Sequence, residues 1–278
     1  MLRPVSLIAL GAGLYLLWLL LLYTMQRSMM FPGASMALPE QPRPADVTSL
    51  WLSVGDSRVE AWWMPPPDLQ QMQAIVIHAH GNAELIDYSP MLAGRLRELG
   101  IGVLAVEYPG YGRSNGAPSQ QSITDTMNAA FDRIPALSGN RLLPVIGYGR
   151  SLGGGAIGQL AAHRRLDALI LESTFSSARA FASRYLAPGA LMRDPFDTAT
   201  ILRQFTGAVL IVHGDRDEII PYRHSDALLA AAPQARRLTL ACGHNDCPPD
   251  MNDYLRQLAN FLRDAGILQP SPAGRTQT

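Results

Sequence analysis

The pattern of apolar and polar positions divides the chain into an apolar N-terminal run and a long stretch of alternating elements. From Val5 to Tyr23 the sequence reads VSLIALGAGLYLLWLLLLY, and no charged residue occurs between Arg3 and Arg27. About 20 helical residues cross a hydrocarbon core of roughly 30 Å, so this run predicts one membrane-spanning helix. Tyr15, Trp18 and Tyr23 fall in its second half, where aromatic rings settle at a membrane–water interface. A cleaved secretory signal would carry a shorter apolar core, about 7 to 15 residues, closely followed by a small-x-small site. Here the small-residue stretch Gly33-Ala34-Ser35-Met36-Ala37 comes well after the run ends, so residues 1–27 are expected to form an uncleaved anchor. The terminal amine and Arg3 face Arg27 across the span, a slight imbalance that favours the rest of the chain on the non-cytoplasmic side.

Residues 28–45 are rich in proline and small residues and read as a linker. Two short strand-like runs follow, Val47–Val54 and Arg58–Met64, separated by the turn-prone Gly55-Asp56-Ser57 and ended by Pro65-Pro66-Pro67. The chain then alternates. Apolar, β-branched-rich runs occur at Ala74–His78, Gly102–Val106, Leu143–Ile146, Ala168–Leu171, Ala208–Val212 and Arg237–Ala241. Helix-period stretches lie between most of them, at Met91–Leu99, Thr124–Leu137, Leu152–His163 and Ser225–Ala232, and Asn252–Ala265 follows the last. Strands that are apolar on both faces and alternate with helices imply a largely parallel sheet covered by helices. This unit is expected over residues 46–267, with a disordered tail over 268–278.

Composition narrows the function classes. Hydrophobic residues make up 47% and charged residues 17% of the 278, which fits one globular domain plus an apolar appendage. The 23 basic residues, all arginine, balance 23 acidic ones, which removes the electrostatic reason to expect a nucleic-acid partner. Cys242 and Cys247 are too few for a disulfide scaffold and lack companions at zinc-site spacing; a local bond and two free thiols both remain open.

The candidate chemistry starts at Leu143–Gly155, a buried strand turning abruptly into a helix. It contains Gly149-x-Ser151-x-Gly153, the nucleophile-elbow pattern, in which small neighbours let strand and helix approach closely and the serine hydroxyl projects above the sheet. The dinucleotide fingerprint needs glycine where Leu152 stands, and a phosphate-binding loop needs a lysine the chain lacks. A serine becomes a nucleophile once a histidine takes its proton and a carboxylate orients that histidine. In this fold the chain order is serine, acid, histidine.

The strand Ala208–Val212 ends in His213-Gly214-Asp215-Arg216-Asp217, and the next ends in Cys242-Gly243-His244. Both follow carboxyl ends of strands, where open α/β sheets build their sites. Asp217 is preferred to Asp215, which directly follows Gly214 and is suited to the turn itself. His244 is preferred as the base, because His163 and His224 fall in helices while His78 and His213 sit at strand ends. Upstream, the strand Ala74–His78 runs into Ala79-His80-Gly81-Asn82. The N–H groups of Asn82 and Leu152 can supply a two-donor oxyanion hole, with His80 read as a structural residue of that loop.

The motifs HGNAE (80–84), EYPGYGRSNGAPS (107–119), GYGRSLGGG (147–155), HGDRDEIIP (213–221) and GHND (243–246) together resemble those of α/β-hydrolase-domain serine hydrolases. The similarity extends to a membrane-associated branch with protein depalmitoylases and many bacterial members. The resemblance covers about residues 45 to 265. It implies the α/β-hydrolase fold: a mostly parallel eight-stranded sheet flanked by helices, a minimal cap, and here one preceding transmembrane helix. It implies Ser151 as nucleophile, Asp217 as acid, His244 as base, and oxyanion donors at Asn82 and Leu152. The expected reaction is cleavage of an ester or thioester through an acyl-enzyme, on a small-molecule or lipid-like acyl substrate, with no metal or cofactor. The expected location is a single-pass position in a bacterial inner membrane, held by residues 5–23. Animal depalmitoylases reach membranes through lipidated N-terminal cysteines, which this chain lacks, so that activity does not transfer with the motifs. The rival readings are a serine peptidase or amidase of the same fold and an inactive binding protein.

Overall fold

The computed structural model of the protein describes residues 4–40 and 42–270. Arg3 and the tail from residue 271 onward, both invoked above, lie outside the described residues.

The first helix, α1 (Pro4–Met30), is long and apolar enough to cross a membrane. At 1.5 Å per residue its 27 residues extend about 40 Å. It continues beyond the apolar run through Arg27 to Met30. The segment that follows is not free at its start. Phe31 is 2% exposed, Pro32–Ser35 forms a short 3-10 helix, and the Gly33 N–H donates to the Asn82 carbonyl at 3.0 Å.

The hairpin β1 (Thr48–Val54) and β2 (Ser57–Met64) opens the sheet. It continues through β3 (Ala74–Ala79), α2 (Ser89–Arg97), β4 (Ile101–Val106), α3 (Gln120–Phe131), α4 (Ile134–Leu137), β5 (Val145–Arg150) and α5 (Leu152–His163). The rest is β6 (Ala168–Glu172), α6 (Thr198–Leu202), β7 (Ala208–Gly214), α7 (Arg223–Ala231), β8 (Arg236–Leu240) and α8 (Met251–Asp264). The eight strands lie in the order β1-β2-β4-β3-β5-β6-β7-β8, antiparallel where β2 meets β1 and β4 and parallel elsewhere.

Alternation within strands explains the two-sided burial. In β3, Ile75, Ile77 and Ala79 join the core on one face, while Ala74 and Val76 join the core on the other. With both faces covered, the strand reads as an unbroken apolar run. Two expected elements shift. β5 runs on through Gly147-Tyr148-Gly149 to Arg150, where glycines mask its strand character, and the helix expected over Thr124–Leu137 breaks between α3 and α4, just before Pro135. The start of α3 lies at a Ser119/Ser122 capping box, earlier than the apolar periodicity indicates.

Residues 173–207, between β6 and β7, form a small cap of two 3-10 turns (Ala178–Tyr185 and Gly189–Leu191) and α6. The cap is fastened to α1. Arg27 Nε pairs with Asp194 at 2.7 Å, and the same carboxylate accepts the Gln120 N–H at 2.8 Å, so one buried acid joins α1, the cap and α3.

Phe31→Ala is expected to lower stability by about 3–5 kcal/mol, the cost of emptying a buried aromatic site. The check is the denaturant midpoint of the full chain in detergent; an unchanged midpoint would mean that Phe31 belongs to a free linker.

Candidate active site

The carboxyl edge of the parallel sheet gathers the candidate residues: Asn82 follows β3, Ser151 follows β5, Asp217 follows β7 and His244 follows β8. The turn at Ser151 is the tightest feature. Ser151 has φ 53° and ψ −117°, a conformation that costs a non-glycine residue about 1–3 kcal/mol. Two glycines permit it. A Cβ on Gly149 would overlap the backbone of Gly153 and Gly154, and one on Gly153 would overlap the carbonyl of Ala79 at the end of β3. The end of β6 holds the strained residue from both sides. The Ser151 N–H donates to the Glu172 carbonyl at 2.9 Å, and Thr174 Oγ1 donates to the Ser151 carbonyl at 2.6 Å.

A serine at this position usually caps its helix by accepting an N–H bond from the first turn. Ser151 stands at the N-cap of α5 and makes no such side-chain bond. Its hydroxyl is thereby left free of the helix, and the N–H groups of Leu152 and Gly153 have no acceptor among the described residues, at the positive end of α5, while that of Gly154 donates to the Ser151 carbonyl at 3.1 Å.

Asp217 and His244 are brought together, with His244 Nδ1 2.7 Å from Asp217 Oδ2. The other carboxylate oxygen accepts the N–H groups of Ile219 at 3.0 Å and Ile220 at 2.7 Å. Burial opposes the Asp217 charge, but the His244 hydrogen bond and the Ile220 N–H outweigh it and hold the pKa below the usual carboxylate value. Asp215 is exposed and faces Arg216. His213 is fully buried, with Nε2 against the Ile220 carbonyl at 2.7 Å, so it braces the acid's turn. Ser151 Oγ and His244 Nε2 have no hydrogen-bond partner among the described residues and are not bonded to each other. Such bonds tighten when substrate is in place.

The loop after β3 is equally well supported. His80 has two acceptors, the Gly81 carbonyl at 2.8 Å and Glu107 Oε1 at 2.7 Å, so both ring nitrogens are satisfied only as imidazolium. Burial disfavours that cation; the Glu107 carboxylate prevails and raises the His80 pKa. Tyr108 donates to the His80 carbonyl at 2.6 Å and Tyr111 to the Asn82 carbonyl at 2.9 Å. These bonds hold the His80–Gly81 and Asn82–Ala83 peptides, and the His80 Nδ1 bond to the Gly81 carbonyl holds the peptide between them, whose Asn82 N–H has no backbone acceptor among the described residues.

Arg150 is a positioning residue that the GxSxG pattern conceals, because it occupies a position the motif leaves unspecified. Its guanidinium donates to the His244 carbonyl at 2.6 Å, pairs with Glu84 and lies 3.6 Å from Glu172. Glu84 in turn accepts the Gly81 N–H at 2.8 Å. Although burial raises the Glu84 pKa, the Arg150 charge outweighs it and keeps the carboxyl ionised. One side chain therefore ties the loop after β3, the turn at Ser151 and the loop that carries His244. Cys242 and Cys247 are joined in a disulfide that closes the loop carrying His244.

Asn82, Ser151 and Leu152 open onto one mostly apolar cavity of about 300 Å³, walled by the cap and by α1.

Comparisons with known proteins bear on the family and the fold. The family described as serine aminopeptidase, S33 matches residues 70–192. The uncharacterized protein YfhR of Escherichia coli O157:H7 is 29% identical over 237 residues, covering 81% of this chain and 83% of YfhR. Alpha/beta hydrolase domain-containing protein 17B of Xenopus laevis is 30% identical over 190 residues, covering 67% of this chain and 65% of that protein. The chain belongs to the α/β-hydrolase family. By fold, this hydrolase matches the Pyrococcus furiosus esterase Pf2001 with a TM-score of 0.66 at 14% identity, covering 82% of this chain and 96% of the other.

Arg150→Met is expected to lower kcat by about 10²-fold with little change in KM, the penalty of misplacing reacting groups by about 1 Å. Steady-state kinetics with a soluble ester checks this, alongside a circular dichroism spectrum to show that the fold persists. Equal activity of the variant and the wild type would remove Arg150 from the positioning network.

Proposed function

We propose that the protein is a membrane-resident serine hydrolase that cleaves an ester or thioester of an acyl group through Ser151, His244 and Asp217. The observation that carries this reading is the strained Ser151 at an uncapped helix N-terminus, on the same sheet edge as the 2.7 Å His244–Asp217 pair. His244 Nε2 takes the Ser151 proton as Oγ attacks the acyl carbonyl. The oxyanion settles against the N–H groups of Asn82 and Leu152. The bond to the alcohol or thiol breaks, the leaving group takes the proton from His244, and water then attacks the acyl-enzyme through the same base. Asp217, held ionised by its partners, keeps the Nδ1–H tautomer and offsets the imidazolium charge.

The test is labelling by a fluorophosphonate probe, wild type beside Ser151→Ala. Label on the wild type alone is expected, and kcat of Asp217→Asn is expected to fall by about 10⁴-fold. Asp215→Asn is expected to behave as wild type. An unlabelled, folded wild type would instead support an inactive binding protein. The match to a family described as serine aminopeptidase keeps a peptidase as the second reading. Against it, the described residues that line the cavity include no carboxylate to receive a substrate's N-terminal amine. Release of an aminoacyl reporter would favour it.

The Cys242–Cys247 disulfide supports a catalytic domain on the oxidising side of the membrane. In intact cells, a membrane-impermeant maleimide is expected to label the full chain only after reduction. Labelling without reductant, or only after lysis, would oppose that orientation.

A further inference from the structure

The cavity at Ser151 is not enclosed by the catalytic domain alone. Leu19, Leu22, Tyr23, Gln26, Met29 and Met30 of α1 form one wall, and Phe175, Phe181, Tyr185, Leu191 and Met192 of the cap form another. Positions 19, 22, 26 and 30 are those of a single helical stripe, and together with Arg27, which pairs with Asp194, they are the partly covered residues among the described ones of an otherwise exposed helix. A helix used only as a tether has no reason to carry such a face.

The stripe is held against the cap by directed bonds. Tyr15 Oη donates to the Leu186 carbonyl at 2.8 Å and Trp18 Nε1 to the Tyr185 carbonyl at 2.9 Å. Gln26 donates to the Leu191 carbonyl at 3.2 Å and accepts the Arg193 N–H at 2.8 Å. The wall therefore has a defined register along the span.

The rim beside this wall is apolar and exposed. Leu186 is 76% exposed in a left-handed conformation with φ 54°, unusual for leucine, and Ile219 is 48% exposed and Tyr185 42%. These side chains are continuous with a helix whose exposed length is suited to hydrocarbon. Arg184 lines the mouth, and Arg193 lies over the Tyr23 ring at 5.3 Å, which places cations where anionic lipid headgroups would meet the rim.

We infer that this cavity is an acyl-chain subsite of which the membrane helix is a working wall, and that it receives the fatty-acyl chain of a membrane amphiphile sideways from the bilayer. This rests on the serine-hydrolase reading above and adds the substrate class: a lipid-like ester or thioester whose chain lies between α1 and the cap while its carbonyl reaches Ser151. Lateral loading moves the chain from hydrocarbon into an apolar slot without crossing water, so the barrier of extracting a lipid does not arise.

The experiment uses the full chain in phosphatidylcholine vesicles with p-nitrophenyl laurate and p-nitrophenyl butyrate, two esters with the same leaving group. The wild type is expected to favour laurate in kcat/KM. Leu22→Trp, which fills the slot from the helix side, is expected to lower the laurate-to-butyrate ratio by about tenfold, the effect of excluding two methylenes from burial. Leu16→Trp, on an exposed position of α1, is expected to leave both rates unchanged. Leu186→Asp on the rim is expected to slow laurate more than butyrate. A wild type that labels with fluorophosphonate yet favours butyrate, or a Leu22→Trp ratio equal to wild type, would overturn the acyl subsite alone. A wild type that neither labels nor cleaves either ester would overturn the hydrolase reading and this inference with it.

Discussion

The close approach of α5 to the end of β3 is the constraint on which the site depends. Gly153 lies so near the Ala79 carbonyl that no side chain fits between them, and Gly149 meets the turn of Gly153 and Gly154 in the same way. Only with both glycines in place can Ser151 hold φ 53° and project its hydroxyl away from the helix it begins. The strain is carried by bonds from β6, so the elbow is rigid because three neighbouring strands hold it, not because its own residues prefer that shape. A relaxed serine would cap α5, tying its side-chain oxygen to an N–H of the first turn.

Around that turn, charge pairs join loops that the sheet leaves apart. Arg150 connects the loops after β3, β5 and β8, and Asp194 connects α1, α3 and the cap. Exposed ion pairs add little to stability. These lie in half-buried or buried settings, where losing one partner strands the other. They bear more on geometry than on net stability. The loop after β3 is built on the same principle, with His80 and Glu107 forming a buried pair beneath peptides that Tyr108 and Tyr111 hold in plane.

The apolar helix α1 and the candidate site share one structure. The chain leaves α1 at Met30, buries Phe31 and bonds Gly33 to the Asn82 carbonyl, so the helix ends a few residues from a proposed oxyanion donor. Tyr111 bonds the same carbonyl, and a Cβ on Gly33 would overlap its ring. The path of the chain out of α1 is thus fixed by the loop it must meet.

Much of the architecture was legible in the sequence. Strands covered on both faces leave continuous apolar runs such as Ala74–Ala79, and the elbow demands glycines that no other residue replaces. Each candidate residue follows directly on a strand, so the chain order alone put Ser151, Asp217 and His244 on one edge. The structure joins Asp217, rather than the exposed Asp215, to His244. Other features had no local signature. Arg150 occupies an unspecified motif position, Phe31 follows a helix and precedes a proline-rich stretch, and Leu268 is buried where the composition predicts the start of a disordered tail. The pairing of Cys242 with Cys247 was likewise open until the loop was seen. Periodicity and turn chemistry report what each residue does within its own element. Contacts such as Arg27 to Asp194 or Trp18 to Tyr185 bridge 167 residues and leave no trace in either segment, so only the tertiary structure could make an apolar N-terminal helix a wall of the cavity at Ser151.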